Sequence, residues 1–210
     1  MRKVLFFHPS SELYGADKIL VYIIKNYKNF QKILVLKSDG PLARLIKKEI
    51  KDIDIIIVPE MPIIANNLLN LHGIIKFILS LIRFKSKINR ILDNDIQIIY
   101  LNTLAVLPVL FFVKKKNKNI MHIHEILENT KILNKAVNYI ALIKSDFLVC
   151  VSNAVKNNFT NSFSNNTEKL IVINNGINFN LKNAFKNTVF ETNNNKINFA
   201  LIGRIKPSRK

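Results

Sequence analysis

A chain of 210 residues, 49% of them hydrophobic, is long enough to bury one full domain core, which excludes disorder as its overall state. The excess of 32 Lys and Arg over 14 Asp and Glu leaves a net charge of +18; this is either compositional bias or a surface for an anionic partner such as a phosphorylated substrate or an anionic membrane leaflet. The single cysteine, Cys150, excludes an intramolecular disulfide framework and a cysteine-based zinc site, and fits a reducing compartment.

In chain order, Val4–Phe7 reads as a strand, ended by His8-Pro9; the run is too short for a secretory signal after Met1-Arg2-Lys3. Gly15–Tyr27 reads as a helix with Ile19, Leu20, Ile23 and Ile24 on its apolar face. Lys32–Leu36 is a second strand, closed by the turn Asp39-Gly40-Pro41. Leu42–Ile50 is helical, and Ile53–Val58 reads as a buried strand ended by Pro59. Strands follow at Ile96–Tyr100 and Asn119–Ile123, with a helix around Leu104–Val113 between them. Ile132–Ile143 is a helix, and Phe147–Val151 and Leu170–Ile173 are strands. Apolar strands separated by helices imply an α/β fold with a doubly wound parallel sheet covered on both faces.

The longest helix is expected from Asn66 to Leu92. Gly73, Lys76, Ser80, Arg83, Lys87 and Arg90 recur at spacings of three or four, forming a polar stripe with basic residues and no acid. Two readings stay open: a domain helix with a solvated basic edge, or a helix resting on an anionic membrane surface. Ile98–Val113 is the most apolar stretch, but Asn102, Pro108 and its length argue against a membrane span. Arginines are few and no stacking aromatics cluster, so no nucleic-acid partner is expected.

From Asn157 onward the chain turns polar, and Asn175-Gly176 signals a turn after the strand at Leu170. Residues 179–195 read as an Asn-rich linker. Lys196–Ile202 is strand-like again and Gly203-Arg204 opens a loop; a lone strand cannot fold by itself, so 196–210 reads as the opening of a second domain.

Three stretches carry candidate chemistry. His8-Pro9-Ser10-Ser11 leads into Gly15-Ala16-Asp17 at a helix start, either an ordinary turn or a place where backbone amides approach a phosphate. His122-Ile123-His124-Glu125 ends a strand, where open α/β sheets place ligands; alternation puts both histidines on one face. No third ligand accompanies them, so a functional histidine or a core imidazole is favoured over a metal site. In Cys150-Val151-Ser152-Asn153, Ser152 or Asn153 caps the next helix, and Cys150 reads as an inert core thiol.

In this order the motifs resemble the N-terminal half of a GT-B glycosyltransferase of the retaining family 4 type. The match runs through His8-Pro9-Ser10-Ser11, Gly15-Ala16-Asp17 and His124-Glu125, then Val151-Ser152-Asn153-Ala154-Val155-Lys156 and Ile173-Asn174-Asn175-Gly176-Ile177-Asn178. Gly203-Arg204-Ile205-Lys206-Pro207 resembles the start of the family's second Rossmann-like domain. The resemblance implies an acceptor-side domain over 1–178 and a truncated donor domain from 196. It implies that His124 lies near the reacting sugar as the catalytic histidine, that Gly15 and Arg204 meet the donor diphosphate, and that Ser11, Glu125, Ser152 and Asn175 line the cleft. Where the family has a lysine–glycine pair, this chain has Ser208-Arg209-Lys210, so the resemblance leaves Arg209 or Lys210 to stand in as the cation, and the glycine is absent. Asn178 stands where the family has an acid.

The implied function is transfer of a sugar from a nucleotide-sugar to a polysaccharide or lipid-linked acceptor, without metal or other cofactor. The implied location is cytoplasmic, at the inner membrane face. With the donor domain truncated, little turnover is expected of this chain alone, and a partner chain supplying that domain is one way to complete it. The rival expectation is a non-catalytic, membrane-surface subunit that binds acceptor and recruits a donor-domain partner.

Overall fold

The computed structural model describes residues 2–65, 70–92, 95–127 and 131–176, all within one unit that ends at Gly176. The expected linker at 179–195, the strand and loop at 196–210, and with them Asn178, Arg204 and Arg209, lie outside the described residues.

Among the described residues each expected strand forms, and each expected helix but the one around Leu104–Val113 is an α-helix. The order is β1 (Arg2–His8), α1 (Gly15–Asn26), β2 (Phe30–Leu36), α2 (Pro41–Glu49), β3 (Ile53–Ile57) and α3 (Leu71–Ile91). Then follow β4 (Ile96–Asn102), a 3-10 segment (Leu104–Phe111), β5 (Lys118–Ile123), α4 (Ile132–Lys144), β6 (Phe147–Cys150), α5 (Asn153–Thr160) and β7 (Leu170–Val172). Among the described residues all strand pairs are parallel, in the order β3-β2-β1-β4-β5-β6-β7. This is the expected Rossmann-like, doubly wound α/β sheet. Progression reverses between β1 and β4, and that reversal is the topological switch point where such sheets open a ligand crevice beyond the strands' C-terminal ends.

Strand alternation divides the core in two. Val4, Phe6, Leu34, Leu36 and Tyr100 pack under α1 and α2, against Leu20, Ile24, Leu42 and Ile46. Leu5, Phe7, Val35, Ile99, Leu101, Met121 and Ile123 face the other way, against Phe84 and Ile88 of α3, the 3-10 segment and Val137 and Ala141 of α4. Right-handed crossovers place α1 and α2 on one face and the later connections on the other.

Three local expectations are corrected. β3 is a half-exposed edge strand, with Asp54 and Ile57 exposed, because among the described residues no strand pairs with its outer side. Leu104–Phe111 is a 3-10 segment with Pro108 inside it, since proline removes an amide donor and disfavours a regular α-helix. In α3, Gly73 is buried and Ser80 half-buried, so the polar stripe is split and only its basic members lie in solvent. Asn70 starts α3, its side-chain oxygen accepting from the Gly73 amide at 2.7 Å.

Candidate functional site

Four polar side chains project from the C-terminal ends of β1, β4 and β5 on the α1/α2 side of the sheet. His8 ends β1, Asn102 ends β4, and His122 and His124 lie at and just past the end of β5. The register that sets Phe6 beside Tyr100, and Asn102 beside His122, brings them together. His8, Asn102 and His122 are buried and His124 is half-buried.

His8, Asn102 and His124, together with Asp17, form a continuous hydrogen-bond chain, and His122 stands beside it. The His8 Nε2–Asp17 carboxylate pair is the chain's buried inner end, and the second oxygen of Asp17 accepts from the Tyr14 amide at 2.5 Å. Asp17 thereby caps the N-terminus of α1 while it orients His8. Asn102 Nδ2 lies 3.0 Å from His8 Nδ1 and donates to the Ala16 carbonyl at 3.4 Å. Asn102 Oδ1 lies 3.0 Å from His124 Nε2.

Proton positions follow from what each partner can do. An ionised carboxylate and a carbonyl only accept, so His8 Nε2 carries a proton toward Asp17 and the Asn102 amide nitrogen turns toward Ala16 and His8. Asn102 Oδ1 then accepts from His124 Nε2–H. That leaves His124 Nδ1 as a bare acceptor with no hydrogen bond to the described residues. Burial would raise the Asp17 pKa, but the hydrogen bond from His8 and that from the Tyr14 amide, with smaller contributions from the His8 electrostatics and from Ser10, outweigh it and hold it below the ordinary value. Burial first, then the adjacent His8, lowers the His124 pKa to about 4, with Asp17 opposing. His124 is therefore neutral at pH 7.

His122 and His124 stack obliquely with ring centroids 4.2 Å apart. His122 Nδ1 pairs with the Tyr100 hydroxyl at 2.7 Å, while its Nε2 is buried and meets no partner among the described residues. Burial, reinforced by His124, pushes the His122 pKa to about 3, and burial drives Tyr100 strongly upward. The motif places both rings on one face as the alternation requires, but with their Nδ1 and Nε2 atoms turned to Tyr100 and Asn102 respectively.

The backbone beside this chain is strained. Thr103 has φ 83° and ψ 151°, a conformation that a β-branched residue rarely adopts. It is held by its amide on the His122 carbonyl at 2.8 Å and by its hydroxyl accepting from the Ala105 amide at 3.3 Å. The strain turns the chain sharply at the end of β4, with Asn102 under α1 and the next residues on the opposite face.

The remaining candidates divide between room and support. Gly15 opens α1, and an added Cβ there meets nothing within 4 Å; first-turn amides of a helix lack intrahelical acceptors. Ser11 is buried, its carbonyl and hydroxyl accepting from the Leu42 and Ala43 amides at 3.0 and 3.2 Å. It thereby locks the β1–α1 loop to the N-terminus of α2, where a Cβ on Gly40 would come within 2.6 Å of the Ser11 carbonyl oxygen. Glu125 turns inward, accepting from the Leu104 and His124 amides at 3.4 and 3.2 Å. Burial raises its pKa against those amides. Ser152 caps α5 by accepting from the Val155 amide at 3.3 Å, and Asn175 is exposed beyond β7. Cys150 is buried, and burial pushes its thiol to about 11, as an inert core thiol requires.

Sequence reasoning named His124 but not Asp17, Asn102 or Tyr100 as its company. The motif contained Asp17; Asn102 carried only the signal of a polar residue ending an apolar strand.

No family description and no curated protein matches this chain. Among solved structures it is similar to HepE of Anabaena in complex with UDP and glucose, with 20% identity and a TM-score of 0.60 over 84% of this chain and 45% of that one. The same protein in complex with UDP-glucose gives 20% identity and a TM-score of 0.60 over 84% and 44%. This chain thus spans less than half the length of the structures it resembles, and the likeness is one of fold.

Proposed function

We propose that this chain is the acceptor-side half of a glycosyltransferase that moves a sugar from a nucleotide-sugar to a polysaccharide or lipid-linked acceptor. The observation that carries the reading is the chain Asp17–His8–Asn102–His124 at the switch point, which ends in a neutral imidazole with a bare Nδ1. The ordered motifs and the likeness to a protein solved with UDP-glucose support it.

In this reading the donor diphosphate lies against the first turn of α1, where Gly15 leaves room and the helix dipole favours negative charge. Neutral His124 accepts a hydrogen bond from a sugar hydroxyl through Nδ1, and Asn102 holds the ring for it. Asp17 and His8 fix that orientation from below. Charge on the departing diphosphate is met by cationic side chains, Arg204 and Arg209 among them, without metal or other cofactor. The finer assignments belong to the proposal too: retention of configuration as in family 4, a role in cell-surface polysaccharide synthesis, and work at the cytoplasmic face of a membrane.

Isothermal titration with UDP, GDP and UDP-glucose tests the binding half of this reading. It expects heat with UDP and UDP-glucose that His124→Ala diminishes for the sugar nucleotide more than for UDP. Equal affinity of wild type and His124→Ala for UDP-glucose would remove His124 from the site. A second reading, an acceptor-binding subunit without its own chemistry, is favoured by the surface of α3 and is separated by assaying sugar transfer with any partner chain present.

A further inference from the structure

A second chemistry occupies the opposite side of the sheet. Between α3, the 3-10 segment and α4 runs a groove of about 450 Å³ with an almost wholly apolar wall. Phe77 and Leu81 supply one side, the buried Leu107 and Pro108 the floor, and Val137 and Ile140 the other side. At its lip Phe111 and Leu133 are exposed, and Ile132, the first residue of α4, is 90% exposed.

The outward face of α3 continues this surface. Phe84 and Ile88 anchor the helix inward, while Leu71, Ile75, Ile78 and Ile82 stand in solvent, with Leu71 74% and Ile82 65% exposed. Their spacing of four, three and four makes them one line along the helix. The line stops there, because the later exposed positions are Lys85, Ser86 and Asn89. Lys76, Arg83, Lys87 and Arg90 run along a neighbouring edge, exposed. Lys144 of α4 lies over the Phe111 ring, 5.4 Å from its centroid. No Asp or Glu occurs in α3, the 3-10 segment or α4. An apolar line beside an acid-free basic edge is the pattern of a helix lying in an anionic lipid interface. Two copies of so basic a face would repel one another. Among the described residues no helix is long and apolar enough to cross a membrane, so the contact lies in the surface plane.

We propose that this face docks on an anionic phospholipid bilayer, with Leu71, Ile75, Ile78 and Ile82 in the interface and one acyl chain entering the groove. The inference rests on α3, the 3-10 segment and α4 and stands apart from the sugar-transfer reading, which the nucleotide titration tests separately.

The experiment is co-sedimentation of the full chain with vesicles of phosphatidylcholine, and of equimolar phosphatidylcholine and phosphatidylglycerol. Binding is expected to the anionic vesicles, weakening as salt rises. The exposed double change Ile75→Asn with Ile82→Asn keeps the net charge and is expected to weaken binding at least about tenfold. Ala136→Trp fills the groove and is expected to abolish the fluorescence gain of cis-parinarate, used as the acyl-chain probe. Equal binding by wild type and the isoleucine double variant would mean that the charge of +18 acts alone, and overturns the proposal. So does the absence of anionic-vesicle binding at low salt. A dimer, seen by light scattering and lost in the double variant without any vesicle binding, likewise overturns it by making this face a self-interface.

Discussion

The two faces of the sheet handle polarity in opposite ways. On the α1/α2 side, at the ends of β1, β4 and β5, Asp17, His8, Asn102 and His124 are paired into one chain, His122 pairs with Tyr100, and charge is suppressed: His122 and His124 are held neutral and Asp17 is matched to His8. On the α3/α4 side apolar groups are left in solvent and positive charge is left without acids of its own elements. A buried polar chain is costly unless each member is satisfied, so it specifies one geometry. An exposed apolar line beside free cations specifies no internal geometry; its energy is realised only against another surface. The first region positions, and the second adheres.

The largest test of this contrast removes the anchor of α3. Phe84 is fully buried and packs edge-on against Phe112, with ring centroids 5.3 Å apart. Phe84→Ala should lower unfolding stability by about 3–5 kcal/mol in a denaturant titration. Histidine signals at the switch point should not move at low denaturant; if they do, the two faces are coupled.

Next in size is Asn102→Leu. It strips partners from His8 Nδ1 and His124 Nε2 at once, and each buried group left unpaired costs about 1–3 kcal/mol. Loss of stability should be accompanied by a mixture of His124 tautomers in side-chain nitrogen NMR. A single unchanged tautomer would show that Asn102 does not position the ring.

Acid should sharpen the contrast further. Because His122 and His124 titrate near 3 and 4 when folded and near 6.5 when unfolded, the unfolded chain binds more protons between those limits. Stability therefore falls as pH drops from about 6.5 toward 4. Asp17, with its lowered pKa, adds a further loss below its ordinary 3.8. Glu125, with its raised pKa, acts in the opposite sense above 4.5. Thermal melts should show the slope, and His124→Asn should flatten it without touching the contribution of Glu125.

The smallest expected effect is at Gly15. Since its Cβ would meet nothing within 4 Å and its backbone is not left-handed, Gly15→Ala should change stability by less than about 0.5 kcal/mol. Weaker UDP-glucose binding in that variant would then report on ligand contact alone. Unchanged binding with Gly15→Val as well would place the diphosphate elsewhere.

Much of the fold was legible because its signals are local. The runs Val4–Phe7 and Asn119–Ile123, the helix start at Gly15, the shared face of His122 and His124 and the cap at Ser152 all depend on neighbours in sequence. The site's company was not legible for the converse reason. His8 and Asn102 are 94 residues apart and meet only because the sheet reverses between β1 and β4, and alternation says which face a residue takes but not which strand lies beside it. The edge position of β3 was hidden in the same way, since Ile53-Asp54-Ile55-Ile56-Ile57 reads alike at a centre or an edge. In α3 the spacing of Gly73 and Ser80 with the basic residues suggested one polar stripe. Small residues at such spacing serve close packing just as well, and these turn inward or to the half-buried flank.

The most direct test of the switch-point site is nitrogen–proton NMR of the four histidines during titration with UDP-glucose. His124 should begin as one tautomer, protonated on Nε2 and bare on Nδ1, and its Nδ1 signal should move on saturation while exposed His72 on α3 stays fixed. A His124 protonated on Nδ1 in the free chain, or a ligand response at His72 and none at His124, would contradict the account.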